Sequence, residues 1–174
     1  MKQSVMNSIS EQIRNELYSG YLYLAMSAHF DVENLKGFSH WMRLQAQEEL
    51  QHAIRLFDYV ARVRGRVTLK AIDAPPATFG SPLEIFKKAF EHEREVTGQI
   101  TDLYELARKE RDYAAEMELQ WFIQEQVQEE DNAARAVDQL ELAGDSKAAL
   151  LMLDHRDRCR DLVDGEPQAP SEGA

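Results

Sequence analysis

Glu49-Leu50-Gln51-His52 sets a carboxylate and an imidazole three residues apart, a spacing that puts both on one face of a helix. Glu16, Glu93 and Glu129 each lie in another long segment, and Gln126 stands one turn before Glu129. All of them fall on stripes that are otherwise apolar at a spacing of three and four. The stripes read Ile9, Ile13, Glu16, Gly20, Tyr23, Ser27; then Phe38, Trp41, Gln45, Glu49, His52, Leu56, Tyr59. The other two read Phe86, Phe90, Glu93, Val96, Ile100, Leu103, and Leu119, Phe122, Gln126, Glu129, Ala133, Val137, Leu140. A buried, unpaired carboxylate costs several kcal/mol. One on each stripe would consume much of the roughly 5–15 kcal/mol that holds a domain together. A cation among them removes that cost. Several carboxylates with one imidazole form a hard, oxygen-rich set suited to iron or manganese. Shared between two ions, Glu49 offsets their repulsion. Glu16 and His52 then complete one site, and Glu93 and Glu129 the other. Gln126 is placed to hydrogen-bond a bound water or oxygen species. Tyr23, about two turns from Glu16, either donates a hydrogen bond to a ligand, gives up one electron, or simply packs. The competing reading of the same residues is a buried polar network without metal that fixes helix register.

Such a layer needs long helices to position it, and the punctuation of the chain supplies them. Ser8 with Glu11 forms a capping box that starts the first helix near Ile9. Its pattern runs to about Val32, and Asn34 to Gly37 reads as a turn. The second helix runs from about Phe38 to Arg64 and stops at Gly65. Positions 65–80 carry Pro75 and Pro76 and show no helical period. Ser81 as N-cap with Pro82 at the first position starts the third helix, which ends near Lys109. The fourth covers about Tyr113 to Leu142 and is stopped by Gly144. Asp145 or Ser146 caps a short fifth helix reaching about Leu162. The polar, Pro/Gly-rich end, 163–174, reads as a disordered tail behind one domain, 1–162. A helix of about 27 residues spans roughly 40 Å. The connection at 65–80 extends to at most roughly 50–58 Å, enough to cross the bundle end to end. The first two helices are therefore antiparallel, the last two antiparallel, and the second parallel to the third. This is the all-α, ferritin-like four-helix bundle with one long crossover between its second and third helices and a short fifth C-terminal helix.

Composition narrows the partners. The 31 acidic against 20 basic residues leave a net charge of −11. That charge repels phosphate backbones and offers no polybasic handle to an anionic membrane, so neither nucleic acid nor membrane is an expected partner. No apolar run approaches a membrane span, and the start, Met1 to Ser10, lacks an apolar signal core. The single cysteine, Cys159, provides no disulfide framework and fits a cytoplasmic setting.

Asn15-Glu16-Leu17-Tyr18-Ser19, Gln47 to Ala53, Glu91-His92-Glu93, and Leu119-Gln120-Trp121 followed by Glu125-Gln126 and Glu129 together resemble the ferritin family, in particular its haem-free prokaryotic members. The similarity covers about residues 5–158. It implies an iron-storage protein that oxidises Fe(II) to Fe(III) with dioxygen or peroxide at an intrasubunit di-iron ferroxidase centre. The ferric mineral is then stored inside a hollow homo-oligomeric shell of 24 subunits. The implied ligands are Glu16, Glu49, His52, Glu93 and Glu129, with Gln126 and Tyr23 beside them. No haem is expected. The haem-binding methionine of bacterioferritins falls at Leu50, and their second E-x-x-H reads Glu129-Glu130-Asp131-Asn132 here. Some members hold a third iron through residues matching Glu48, Glu125 and position 128. Gln128 is neutral, which weakens that site, and Glu48 and Glu125 read equally as solvated side chains. Two rivals remain at this level. One is a di-iron oxygenase or peroxidase acting on a small molecule without storage, and the other a non-catalytic helical assembly module.

Overall fold

The structure is a computed structural model and describes residues 2–158. Five helices account for most of them: α1 (Gln3–Val32), α2 (Lys36–Arg62), α3 (Pro82–Lys109), α4 (Tyr113–Ala143) and α5 (Lys147–Arg158). Among the described residues there is no strand. The expected end of the fifth helix near Leu162, the tail at 163–174 and Cys159 lie outside them.

The ends of the helices follow from local chemistry. At the start of α3, Ser81 Oγ accepts from the Glu84 amide while the Glu84 carboxylate accepts from the Ser81 amide, with Pro82 in the first turn. Ser146 Oγ accepts from the Ala149 amide at the start of α5 (3.2 Å). Three helices close alike, with a left-handed residue at Asn34 (φ 59°), Arg64 (φ 56°) and Arg111 (φ 56°). The next amide then returns five residues: Leu35 to Phe30 (3.0 Å), Gly65 to Val60 (2.8 Å), Asp112 to Ala107 (2.9 Å). Gly65 thus follows the left-handed residue instead of occupying it.

Two expected boundaries are corrected. The Ser8/Glu11 capping box does not form, because α1 already begins at Gln3. Val5 is fully buried and packs with Ile9 and Ile13 against α2, α3 and α4, so tertiary burial extends the helix through the local start signal. Glu11 instead pairs with Lys70 of the crossover and with Arg14 (3.4 Å). Gly37, expected in a turn, lies in the first turn of α2.

Two apolar clusters define the helix directions. One joins Val5, Ile9 and Ile13 of α1 to Leu56, Tyr59 and Val60 of α2, Ile100 and Leu103 of α3, and Leu119 and Phe122 of α4. The other joins Tyr23, Met26 and Phe30 to Phe38 and Trp41, Phe86, and Val137 and Leu140. The start of α1 therefore meets the end of α2, the end of α3 and the start of α4. Helices α2 and α3 run in the same direction, as expected. Residues 63–81 make the crossover along α1: the Arg66 amide points to Met6 Sδ (3.4 Å), Arg14 reaches Asp73 (3.9 Å), and Phe79 stacks edge-on to His29 (5.8 Å). Helix α5 caps the bundle: buried Asp154 accepts through Oδ1 from the Gly37 (2.8 Å) and Phe38 (2.9 Å) amides at the α2 N-terminus.

Candidate metal centre

Between the two apolar clusters every bundle helix contributes buried polar side chains: Glu16, Gln45, Glu49, His52, Glu93, Gln126 and Glu129. Gly20 lets α1 approach α2 here, since a Cβ at this position would stand 3.2 Å from the Ala46 carbonyl oxygen and 3.5 Å from Glu49 Cβ.

The ligand atoms of Glu16, Glu49 and His52 lie within 4.8 Å of one another, and all three residues are buried. His52 Nδ1 faces Glu49 Oε2 at 3.8 Å and Glu16 Oε2 at 3.9 Å. Those two carboxylate oxygens are the ones in this layer that no other side chain or amide donates to, and a proton shared between the Glu16 and Glu49 carboxyls is their one available bond. The other oxygen of Glu16 accepts from Gln12 Nε2 (2.9 Å). Buried oxygens almost always find a donor, so two of them converging on an imidazole nitrogen form a cradle for a cation. The ring of His52 is held edge-on by Trp121 (5.4 Å) and Phe122 (5.9 Å), and the Arg55 guanidinium covers the outer face of Trp121 (3.9 Å).

His52, Glu125 and Glu129 form a second such group, also within 4.8 Å, with Glu125 half-buried. His52 is thus common to both groups. Glu93 belongs to neither, but its charge acts on Glu49, as does that of Glu129. Tyr23 OH donates to Glu93 Oε1. Gln126 Nε2 reaches Glu93 Oε2 (3.3 Å), the Glu93 carbonyl (3.3 Å) and Thr97 Oγ1 (3.4 Å). Glu16, Glu49, His52, Glu93, Gln126 and Glu129 thus all lie in this layer, and Tyr23 of the second apolar cluster reaches it through Glu93. Glu48 is exposed and accepts from Gln45 Nε2 (2.5 Å), and Gln128 is exposed.

Electrostatics show how poorly four acids share a buried layer. Burial, then the charge of Glu49, holds the Glu16 carboxyl well above the usual carboxylate range. Burial, then Glu93, does the same for Glu49. Glu93 is raised by burial, although the Tyr23 and Gln126 hydrogen bonds oppose the shift. Glu129 is pushed up to about 7 by burial and then by Glu48. Burial and Glu93 also raise Tyr23, so its phenol keeps its proton and acts as a donor. A divalent cation reverses each of these shifts.

Sequence reasoning passed over Gln12 and gave Gln45 no part. Gln12 lies off the apolar stripe, and its one signal is its place a turn before Glu16. Gln45 interrupts the α2 stripe a turn before Glu49.

A family model described as the ferritin-like domain matches residues 6–143. A bacterial non-heme ferritin of Bacteroides fragilis is 41% identical over 146 residues, covering 84% of this chain and 92% of the relative. One of Staphylococcus aureus is 32% identical over 152 residues, covering 87% and 92%. An open pore ferritin of the hyperthermophilic archaeon Archaeoglobus fulgidus superposes with a TM-score of 0.90 at 46% identity, covering 91% of this chain and 98% of that one.

Proposed function

The chain belongs to the ferritin family, as an iron-storage ferritin of the haem-free prokaryotic kind, and we propose that its polar layer is a di-iron ferroxidase centre. The observation that carries this reading is the pair of buried oxygens, Glu16 Oε2 and Glu49 Oε2, that no other side chain or amide donates to and that turn toward His52 Nδ1.

Iron is the substrate and the cargo. Glu16 and His52 hold one Fe(II), Glu93 and Glu129 hold the other, and Glu49 lies between them. Two Fe(II) supply the two electrons that reduce dioxygen to peroxide, or peroxide to water. The chain's own part is positioning and charge. Tyr23 and Gln126 hold the Glu93 carboxylate by donating to it. Trp121 and Phe122 fix the imidazole plane and keep water from that side. Carboxyls that carry protons at rest must release them as iron enters. Product Fe(III) moves to a mineral held within a homo-oligomeric shell of 24 subunits in the cytoplasm. No helix among the described residues is long and apolar enough to cross a membrane, and the acidic surface favours cation entry.

Size-exclusion chromatography after aerobic loading with excess Fe(II), with iron and protein read in each fraction, tests the reading. Iron far beyond the site stoichiometry, co-eluting with a particle many subunits in size, is the expected result. Iron confined to the layer of a small oligomer would instead mean a di-iron oxygenase or peroxidase without storage.

A further inference from the structure

Gln45 is a buried polar residue of the layer that the di-iron reading leaves without a part. Only 3% of its surface is exposed. Its Nε2 lies 2.5 Å from Glu48 Oε2 and 3.1 Å from Glu129 Oε2. Both neighbours are carboxylate oxygens, so the side chain must present its NH2 end, and the two N–H bonds of one nitrogen serve two acids. Glu48 stands on the exposed edge of α2, while Glu129 comes from α4 inside the layer. The amide therefore joins the outermost acid of this region to one that faces His52.

We propose that Gln45 sets the metal count of the centre: its NH2 group fills the gap between Glu48 and Glu129 that a further cation would need. A cation held by two carboxylates sits roughly 2.0–2.6 Å from their oxygens, so it and the amide nitrogen cannot share that gap. The amide also supplies two partial positive charges, which quiet the repulsion between the acids without a metal. Gln128, a neutral and exposed residue, adds no anionic ligand, and the half-buried Glu125 groups with His52 and Glu129 and not with Glu48. The layer thus keeps its own ions, and the Glu48–Glu129 gap stays closed. This inference rests on the di-iron reading above.

Anaerobic calorimetric titration with Fe(II) compares the intact assembled protein with Gln45→Glu and Gln45→Leu. The wild type is expected to saturate when the layer is full. Gln45→Glu replaces the blocking donor with a third acid and takes one further ion per chain. Gln45→Leu removes the donor without adding charge, and the further ion binds at least about tenfold more weakly than in Gln45→Glu. A wild type that takes the further ion as tightly as Gln45→Glu overturns the inference, as does an identical ion count in all three proteins. A wild type that takes no ion in the layer defeats the di-iron reading first and the inference with it. Crystals of the wild type soaked in Mn(II) add a measurement that needs no variant. Anomalous scattering is expected at the layer and not between Glu48 and Glu129, and a peak in that gap with the amide turned away overturns the proposal.

Discussion

The apolar ends of the bundle and its polar middle are built on the same helical stripes, yet they do opposite things to stability. At one end Phe30, Phe38, Trp41 and Phe86 meet with ring centroids 5.1–5.9 Å apart, and these buried rings hold the helices together. In the middle, Glu16, Glu49 and Glu93 are at most 1% exposed, and burial raises the carboxyl of each. The ends stabilise the fold, while the middle draws on that stability to hold four buried acids together. The difference teaches that the polar layer is costly to fold and is supported from both sides.

The most severe way to break the comparison is to remove the single imidazole of the layer. His52→Ala is expected to eliminate the fast phase of Fe(II) oxidation, a drop of more than about tenfold, with helical content retained. Stopped-flow absorbance beside circular dichroism reads both, and an unchanged initial rate defeats the assignment. At an apolar end the order reverses. Phe86→Ala should cost about 3–5 kcal/mol, seen as a lower denaturant midpoint, while any protein that remains folded keeps its initial oxidation rate.

A gentler change sharpens the contrast. Glu16→Gln keeps the shape but removes one acid from the Glu16–Glu49 pair. Under chelator it should stabilise the protein by on the order of 1 kcal/mol at pH 8, and a lower melting temperature counts against this. The same layer gives apo stability a distinctive pH dependence. In the unfolded chain Glu129 titrates near 4.3, whereas in the folded protein it titrates at about 7. Between those values the folded state holds a proton that the unfolded state has lost. Stability is therefore fully present below the lower value and falls as pH rises through the upper one. Melting under chelator from pH 5 to pH 8 should show that decline, and Glu129→Gln should flatten it. Iron uptake runs the other way, weakening below about pH 7 as protons compete for the same oxygens. The smallest effect is expected from Tyr23→Phe, which removes the donor to Glu93. It should slow oxidation by a few-fold and leave the melting temperature within a few degrees. Abolition of activity would mean that the phenol does more than position a carboxylate.

Much of this was legible in the sequence because helical periodicity is local. Glu16, Glu49, His52, Glu93, Gln126 and Glu129 could be placed on one layer from spacing alone, and the length of the crossover fixed which helices run parallel. The start of α1 was not legible. A capping box is a signal of a few residues, and the burial of Val5 against three other helices overrides it. The roles of Gln12 and Gln45 were also hidden, since an amide one turn from a ligand reads the same whether it meets solvent or an acid.

The sequence by itself determined the all-helical class, the crossover topology and the polar residue types set on the four apolar stripes, because these depend on residue type and on distances along the chain. Only the tertiary structure decided that Glu16 Oε2 and Glu49 Oε2 turn toward His52 Nδ1 with no other side chain or amide donating to them, that Tyr23 reaches Glu93, and that Gln45 spans Glu48 and Glu129. Apart from Glu49–His52 and Gln45–Glu48, which lie within α2, those contacts join residues on separate helices. They are set by the rotation and axial shift of one helix against another, which arise from packing the apolar ends and are written in no single stretch of the chain.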